Sequence, residues 1–247
     1  MRILAVDTSA KTAAAAITED KTLLAESSVR TDTHSVTLLP MIEALLRAAD
    51  TGIGDLDLLS VTVGPGSFTG VRIGVSAVKG LAFADRIPCV GVSSLEGMAY
   101  SFAGIDALVV PVIDARRGMV YTALFRTSAD GTVTRLTADE QIPADGLIEK
   151  LGTYGGERLY FTGDAYAMMA GRGDLPVGAA VTPERLRVPS AYGIAARAYE
   201  IYAAASEAER AGFTDAALAP VYLRKSQAER EREERLAKQN NGSEGSL

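Results

Sequence analysis

The chain has 247 residues, 47% hydrophobic and 23% charged, and a net charge of −6 with its one histidine neutral. At roughly 150 residues per domain this allows one or two domains with real cores and excludes bulk disorder. An acidic chain is a poor solitary ligand for a phosphate backbone, a lone cysteine, Cys89, excludes an intrachain disulfide, and a single histidine beside it excludes most zinc sites. The longest run without a charge, Leu58 to Val71, carries Gly64, Pro65 and Gly66 and is shorter than the ~20 apolar residues of a membrane span. Asp7 and Lys11 interrupt any signal-like start. A cytoplasmic protein with no membrane partner is expected.

In chain order, Arg2 to Val6 reads as a strand ending at Asp7, Thr12 to Thr18 as a second, and Lys21 to Ser28 as a third after a turn at Glu19-Asp20. Leu38, Leu39, Ile42, Leu45, Leu46 and Ala49 repeat at the helical period and predict a helix from Ser35 to Ala49, with a kink or a late start at Pro40. Leu58 to Val63 reads as a buried strand, followed by GPGSFTG (Gly64 to Gly70) and a helix to about Ala84. Pro88 to Val92 is a strand and Ser93 to Ala103 a helix. Ala107 to Ile113 then ends at Asp114, with strands predicted at Val120 to Phe125 and Val133 to Leu136 around a turn at Asp130-Gly131. A helix (Asp145 to Leu151), a strand (Arg158 to Phe161), a Gly-rich loop (Gly171 to Gly178) and a helix from Tyr192 to about Ala211 follow. In both halves the second strand starts six residues after the aspartate, Asp7 to Ala13 and Asp114 to Val120, a weak internal repeat. The chain divides into a lobe over 1–104, a second over 105–228 whose last helix is free to pack on the first, and a charged tail over 229–247. The tail interleaves Glu229, Glu231, Glu233 and Glu234 with Arg230, Arg232, Arg235 and Lys238 and is expected to be disordered.

GPGSFTG is not a P-loop, since no Gly-Lys-Ser/Thr follows, nor a dinucleotide fingerprint. Between a strand and a helix it reads as a tight turn with Ser67 or Thr69 as cap, and anion contact is the alternative. The helix after it carries two apolar lines, Ile73, Ala77, Leu81 and Val71, Val75, Val78, Ala82, with Gly70 and Gly74 on one face. On the earlier helix Met41, Ala44 and Ala48 lie behind the core stripe and only Glu43 and Arg47 are charged. Two stripes mean a sandwiched helix or a partner surface. His34 reads as a cap or packing residue, and Arg116, Arg117, Arg224 and Lys225 as solvated surface or as contacts to tRNA within a larger assembly. No G-x-S-x-G elbow places a nucleophilic serine.

Two halves that each open strand-Asp-strand-turn-strand resemble the actin, Hsp70 and sugar-kinase superfamily, a two-lobed α/β fold of duplicated ribonuclease-H-like halves. Within it, ILAVDTS (Ile3 to Ser9), HSVTLLPMIEALL (His34 to Leu46), GPGSFTGVRIGVSAVKGLA (Gly64 to Ala82) and YLRKSQAE (Tyr222 to Glu229) closely resemble the TsaB (YeaZ) family. The resemblance implies a non-catalytic subunit that binds TsaD, the enzyme that transfers threonylcarbamoyl to a tRNA adenosine beside the anticodon. It implies a TsaE-like ATPase as a further partner, tRNA only through the complex, and a homodimer when alone. It also implies that the two N-terminal helices bundle with TsaD, which points to Met41, Ala44, Leu45, Ala48, Val71, Gly74, Val75 and Val78 as the interface. In ATP-using relatives an aspartate after the first strand helps to place metal and phosphates. Asp7, with Asp114, is then a vestigial nucleotide site, because the second half offers Asp114-Ala115-Arg116-Arg117-Gly118 and no phosphate-wrapping loop. The paired histidines of TsaD are missing, which removes the metal chemistry and the peptidase label. No cofactor is expected in the isolated chain, with a nucleotide at a subunit junction left open. The competing reading is an ATPase or small-molecule kinase of the same superfamily.

Overall fold

The structure, a computed structural model, describes residues 1–223. The predicted tail and the pair Arg224-Lys225 lie outside the described residues. The first lobe is built on strands β1 (Arg2–Asp7), β2 (Thr12–Glu19) and β3 (Thr22–Arg30), helix α1 (His34–Ala48), strand β4 (Leu58–Gly64), helix α2 (Phe68–Phe83), strand β5 (Cys89–Ser93) and helix α3 (Ser94–Tyr100). Its sheet runs β3-β2-β1-β4-β5, antiparallel on the β3 side of β1 and parallel on the β4 side. Helix α1 continues through Pro40, which is exposed, without breaking.

The second lobe comprises β6 (Ala107–Asp114), β7 (Met119–Thr122), β8 (Phe125–Thr127), β9 (Val133–Arg135), β10 (Glu140–Pro143), α4 (Ala144–Leu151), β11 (Leu159–Thr162) and α5 (Tyr166–Ala170). β7 and β8 share one antiparallel register against β6, with Val112 opposite Thr122 and Val109 opposite Phe125. They are one strand interrupted at Ala123-Leu124, where the outer strand bulges and Thr137 Oγ1 accepts the Leu124 N–H. β10 and β9 continue the sheet beyond β7 and β8, and β11 lies parallel to β6 on its other side. The first four strand positions of the first lobe are thus repeated. The hairpin after the aspartate differs by one residue, since Asp7 pairs with Ala14 and Asp114 with Val120. β10 and α5 escape the sequence patterns, being a four-residue strand without alternation and a single helical turn.

The central strands of both sheets are buried on both faces and read as nearly continuous apolar runs, while β3 at the edge of the first sheet is largely exposed. Leu4 and Val6 of β1 pack under α1 and α2, while Ile3 and Ala5 face helix α6 (Ala191–Ala204). In the second sheet Leu108, Val110 and Val112 face α4, and Val109 and Ile113 face α3. The helix expected from Tyr192 to Ala211 ends at Ala204. Ala205 is extended, and Ser206 starts a separate turn, α7 (Glu207–Arg210), with a capping box to Glu209.

The lobes meet where α3 crosses α6. Gly97 and Gly193 let the two backbones touch, and a methyl on Gly193 would fall inside the carbonyl oxygen of Gly97. Charges bracket this crossing. Glu96 forms ion pairs with Arg197 at 2.9 Å and Arg135 at 3.3 Å, and Glu200 accepts from Lys21 at 2.7 Å and from Tyr100.

Gly193→Ala is expected to destabilise the fold by about 3 kcal/mol, the cost of overpacking against backbone that cannot move aside. Gly80→Ala, at an exposed α2 position with nothing within 4 Å, is expected to be neutral or to gain up to ~1 kcal/mol. Urea unfolding of the two variants checks the contrast.

Candidate functional site

Two concavities border the first lobe's helices. The larger, a cleft of about 760 Å³, lies between the lobes and includes Ser9, Lys11, His34, Ser67, Asp114, Arg116, Tyr121 and Asp164 in its lining. Asp7 is not part of that lining. It is 1% exposed, and its Oδ1 accepts the Ser9 N–H at 2.7 Å and the Thr62 hydroxyl at 2.8 Å. Burial pushes the Asp7 carboxyl above its ordinary range, against the pull of these hydrogen bonds. Asp114 is by contrast at the surface. Its carboxylate accepts the Arg116 N–H at 2.7 Å, and its own N–H donates to Asp164 Oδ1 at 2.9 Å. Burial also raises the Asp164 carboxyl, and the Asp114 charge adds to the effect. The two sequence-predicted aspartates are therefore not a facing pair. Asp7, the last residue of β1, fastens that strand to β4 through Thr62, and the carboxylate beside Asp114 is Asp164, two residues after β11.

The GPGSFTG block is an interlock rather than a phosphate cradle. Ser67 N donates to Ser9 O at 2.7 Å, and Thr8 Oγ1 donates to Gly70 O at 2.7 Å. A Cβ on Gly66, Gly70 or Gly74 would run into Ser9 O, Thr8 O or Thr8 Oγ1 respectively. Ser67 also caps α2, its Oγ accepting the Gly70 N–H at 3.2 Å. His34 ties the start of α1 to the same loop, with Nε2 2.9 Å from Ala10 O. Among the described residues no group of three or more metal-ligating side chains is brought together. Arg116, which lines the cleft, and the neighbouring Arg117 are both exposed and have positive φ of 69° and 56°.

The second concavity is a groove of about 580 Å³ between α1 and α2, lined by Ser35, Leu38, Leu39, Phe68, Thr69, Arg72, Ile73, Ser76 and Ala77. It corrects the residue choice made from sequence. Val71, Val75 and Val78 are at most 3% exposed and pack into the chain's own core, and Gly74 is pressed on Thr8 and Val61. Met41 and Leu45 are also buried. Of the eight expected interface residues only Ala44 and Ala48 lie at the surface. The reason is the order of the two stripes on α2. The valine stripe covers the sheet, and Ile73, Ala77 and Leu81 form the half-buried stripe left toward α1 and solvent. Val36 (68% exposed), Leu39 (50%) and Phe83 (76%) extend the apolar surface.

A C-terminal strap joins both concavities. After α7, Leu218 enters the first core and Val221 N donates to Val63 O at 2.7 Å. Tyr222 then stacks on Phe68 with centroids 4.6 Å apart. Sequence reading missed this strap as structure, although YLRKSQAE starts within it.

The two-lobed fold, with duplicated sheets about a cleft, is that of the actin-like and sugar-kinase superfamily. At the level of fold alone the chain is similar to the activator of the 2-hydroxyisocaproyl-CoA dehydratase from Clostridium difficile with bound ADPNP (TM-score 0.51, 11% identity, 85% of this chain and 98% of that one). A family model described as TsaD, tRNA N6-adenosine threonylcarbamoyltransferase, matches residues 27–169. The tRNA threonylcarbamoyladenosine biosynthesis protein TsaB of Bacillus subtilis is 40% identical over 152 residues, 61% of this chain and 66% of that protein. The structure of YeaZ from Pseudomonas aeruginosa matches with a TM-score of 0.70 and 25% identity, over 90% of this chain and 100% of that one. The chain belongs to this family, on its TsaB (YeaZ) branch. The matched stretch spans just under two thirds of the Bacillus relative's length.

The raised Asp7 carboxyl sets a pH prediction. A buried acid with a raised folded-state pKa binds its proton more tightly folded than unfolded, so folding stability improves as the pH falls toward the unfolded value, near ~4. Relative to Asp7→Asn, the unaltered chain is expected to gain stability between pH 7 and pH ~5. Parallel denaturant titrations check this, and the opposite slope would mean that Asp7 is stabilised as the anion.

Proposed function

We propose that the chain is the non-catalytic partner subunit of a tRNA threonylcarbamoyltransferase, binding and activating the TsaD-like subunit that forms threonylcarbamoyladenosine beside the anticodon. The observation that carries this reading is the apolar groove between α1 and α2, with Leu39, Ile73 and Ala77 left open on a first lobe whose core is otherwise complete. The transferase description of the family model and the pathway named for the Bacillus relative support it. An exposed apolar face of this kind is stabilised by a partner helix or by a second copy, so transferase binding and homodimerisation compete for it. A TsaE-like ATPase joins the assembly, and tRNA meets the chain only within it. No cofactor belongs to the isolated chain, and a nucleotide at a subunit junction would sit against the cleft. The absence of catalysis by this chain is supported by Asp7, whose carboxylate is occupied by Ser9 and Thr62, and by the Asp114 loop, whose carboxylate closes on Arg116.

Reconstitution with threonylcarbamoyl-adenylate, substrate tRNA, the transferase and the ATPase, with and without this chain, tests the proposal. Modified adenosine is expected only when the chain is present, and an Asp7→Asn, Asp114→Asn double variant is expected to support it. Equal modification without the chain would overturn the reading and return attention to an ATPase or kinase activity. Ala77→Arg, on the half-buried stripe, is expected to keep the fold and weaken transferase binding by about a hundredfold, as for a central interface residue. Val75→Arg, 3% exposed, is expected to fail to fold instead.

A further inference from the structure

Arg72 stands at the end of the α1–α2 groove in an arrangement that the packing of the fold does not require. Its guanidinium carbon lies 3.9 Å from the centre of the Phe68 ring, and its Nε donates to the Tyr222 hydroxyl at 2.8 Å. Phe68 and Tyr222 stack on each other, so an arginine that is ordinarily free to rotate is held against two rings. The Nε bond leaves the two Nη groups as the outward edge of the fork. Among the described residues Arg72 has no carboxylate partner. Helix α2 carries Arg72 and Lys79 and no acidic residue, in a chain of net charge −6. Lys79 is occupied by the Leu218 carbonyl at 3.1 Å, which leaves Arg72 as the cation presented to the groove.

A planar, preoriented guanidinium beside an apolar groove is complementary to a carboxylate on an apolar helix. We infer that Arg72 is the specificity-determining contact of the docking surface, taking an Asp or Glu side chain from the partner's helix at the end of the groove. This rests on the docking reading above and adds the chemistry of the partner. Tyr222 and Phe68 act as positioning residues, since they fix the fork before the partner arrives and so reduce the ordering cost of the contact. The strap is then part of the surface, because Tyr222 reaches Phe68 only through the Val221–Val63 pairing.

The test measures binding of the full chain to the purified transferase subunit by calorimetry, at low and high salt. Arg72→Gln is expected to weaken binding by about thirtyfold and to flatten its salt dependence, as for loss of one member of a buried charge pair. Arg72→Glu should weaken it further, and exchange of one Asp or Glu on the transferase's docking helix for Lys should restore it. Tyr222→Phe, which keeps the stack and loses the hydroxyl, should give an intermediate loss with unchanged thermal stability. If the unaltered chain does not bind the transferase, the docking reading falls and this inference with it. If it binds and Arg72→Glu binds equally well, only this inference is overturned. Two other occupants would show themselves and would also overturn it. A loss confined to self-association in sedimentation means a second copy. Disappearance of the Arg72 effect when Glu229, Glu231, Glu233 and Glu234 are all changed to Gln means that the chain's own tail takes the guanidinium.

Discussion

The contact between Gly97 of α3 and Gly193 of α6 is the constraint on which the two-lobed arrangement rests. α6 covers the inner face of the first sheet, through Ile194, Ala195 and Ala198. α3 covers the corresponding face of the second, through Leu95, Met98 and Ala99. The lobes can therefore approach only as closely as these helices allow, and two facing glycines make that distance the least available to helical backbone. The ion pairs of Glu96 and Glu200 add direction rather than much energy, because partly exposed pairs are individually weak. They hold Arg135 of the second lobe and Lys21 of the first against the same pair of helices.

The placement of α1 and α2 depends in turn on the loop after β1. Thr8 and Ser9 receive the backbone of the GPGSFTG block so closely that only glycine fits at Gly66 and Gly70, and Thr8 also presses on Gly74 in the next turn of α2. This seats the start of α2 and sets the rotation of the helix. Rotation decides which stripe meets the sheet, and the valines take that place. The same loop holds α1 through His34 and Ala10. Residues that resemble nucleotide-binding apparatus in order along the chain are here employed in fixing two helices. A carboxylate buried among its own hydrogen bonds, as Asp7 is, serves geometry before chemistry.

Much of this was legible in the sequence, and the failures share a cause. Apolar patterning identified the strands of both sheets except β10, together with the duplicated opening, because central strands buried on both faces leave continuous apolar runs. It also identified both stripes on α2. It could not say which stripe faces the sheet, since each consists of small or β-branched apolar residues at helical spacing. The glycines at the start of α2 carried that information, because Gly70 and Gly74 mark the side of close approach and Val71, Val75 and Val78 flank it. Asp164 and the strap were hidden for a different reason. Their partners, Asp114 and Phe68, are far away in sequence, and no local pattern encodes a contact between residues 68 and 222. The break after Ala204 was readable in retrospect from Ser206 and Glu209, a capping box within what looked like one helix.

The strap gives the groove and the cleft a common boundary. Phe68 and Thr69 line both, and Tyr222 of the strap lines the cleft while bonding to Arg72 of the groove. A protein seated on α1 and α2 therefore presses on the same residues that close one end of the cleft. Conversely, a ligand in the cleft meets Tyr222 and Ser67, which cap and brace the first turn of α2. Phe68 borders both concavities, and its stacking partner Tyr222 borders the cleft. Whatever stiffens Phe68 and Tyr222 from one side lowers the ordering cost on the other, and such coupling is reciprocal by thermodynamic necessity. The fold thus gives the α1–α2 groove and the interlobe cleft a shared wall at Phe68 and Thr69, braced by the Tyr222 ring.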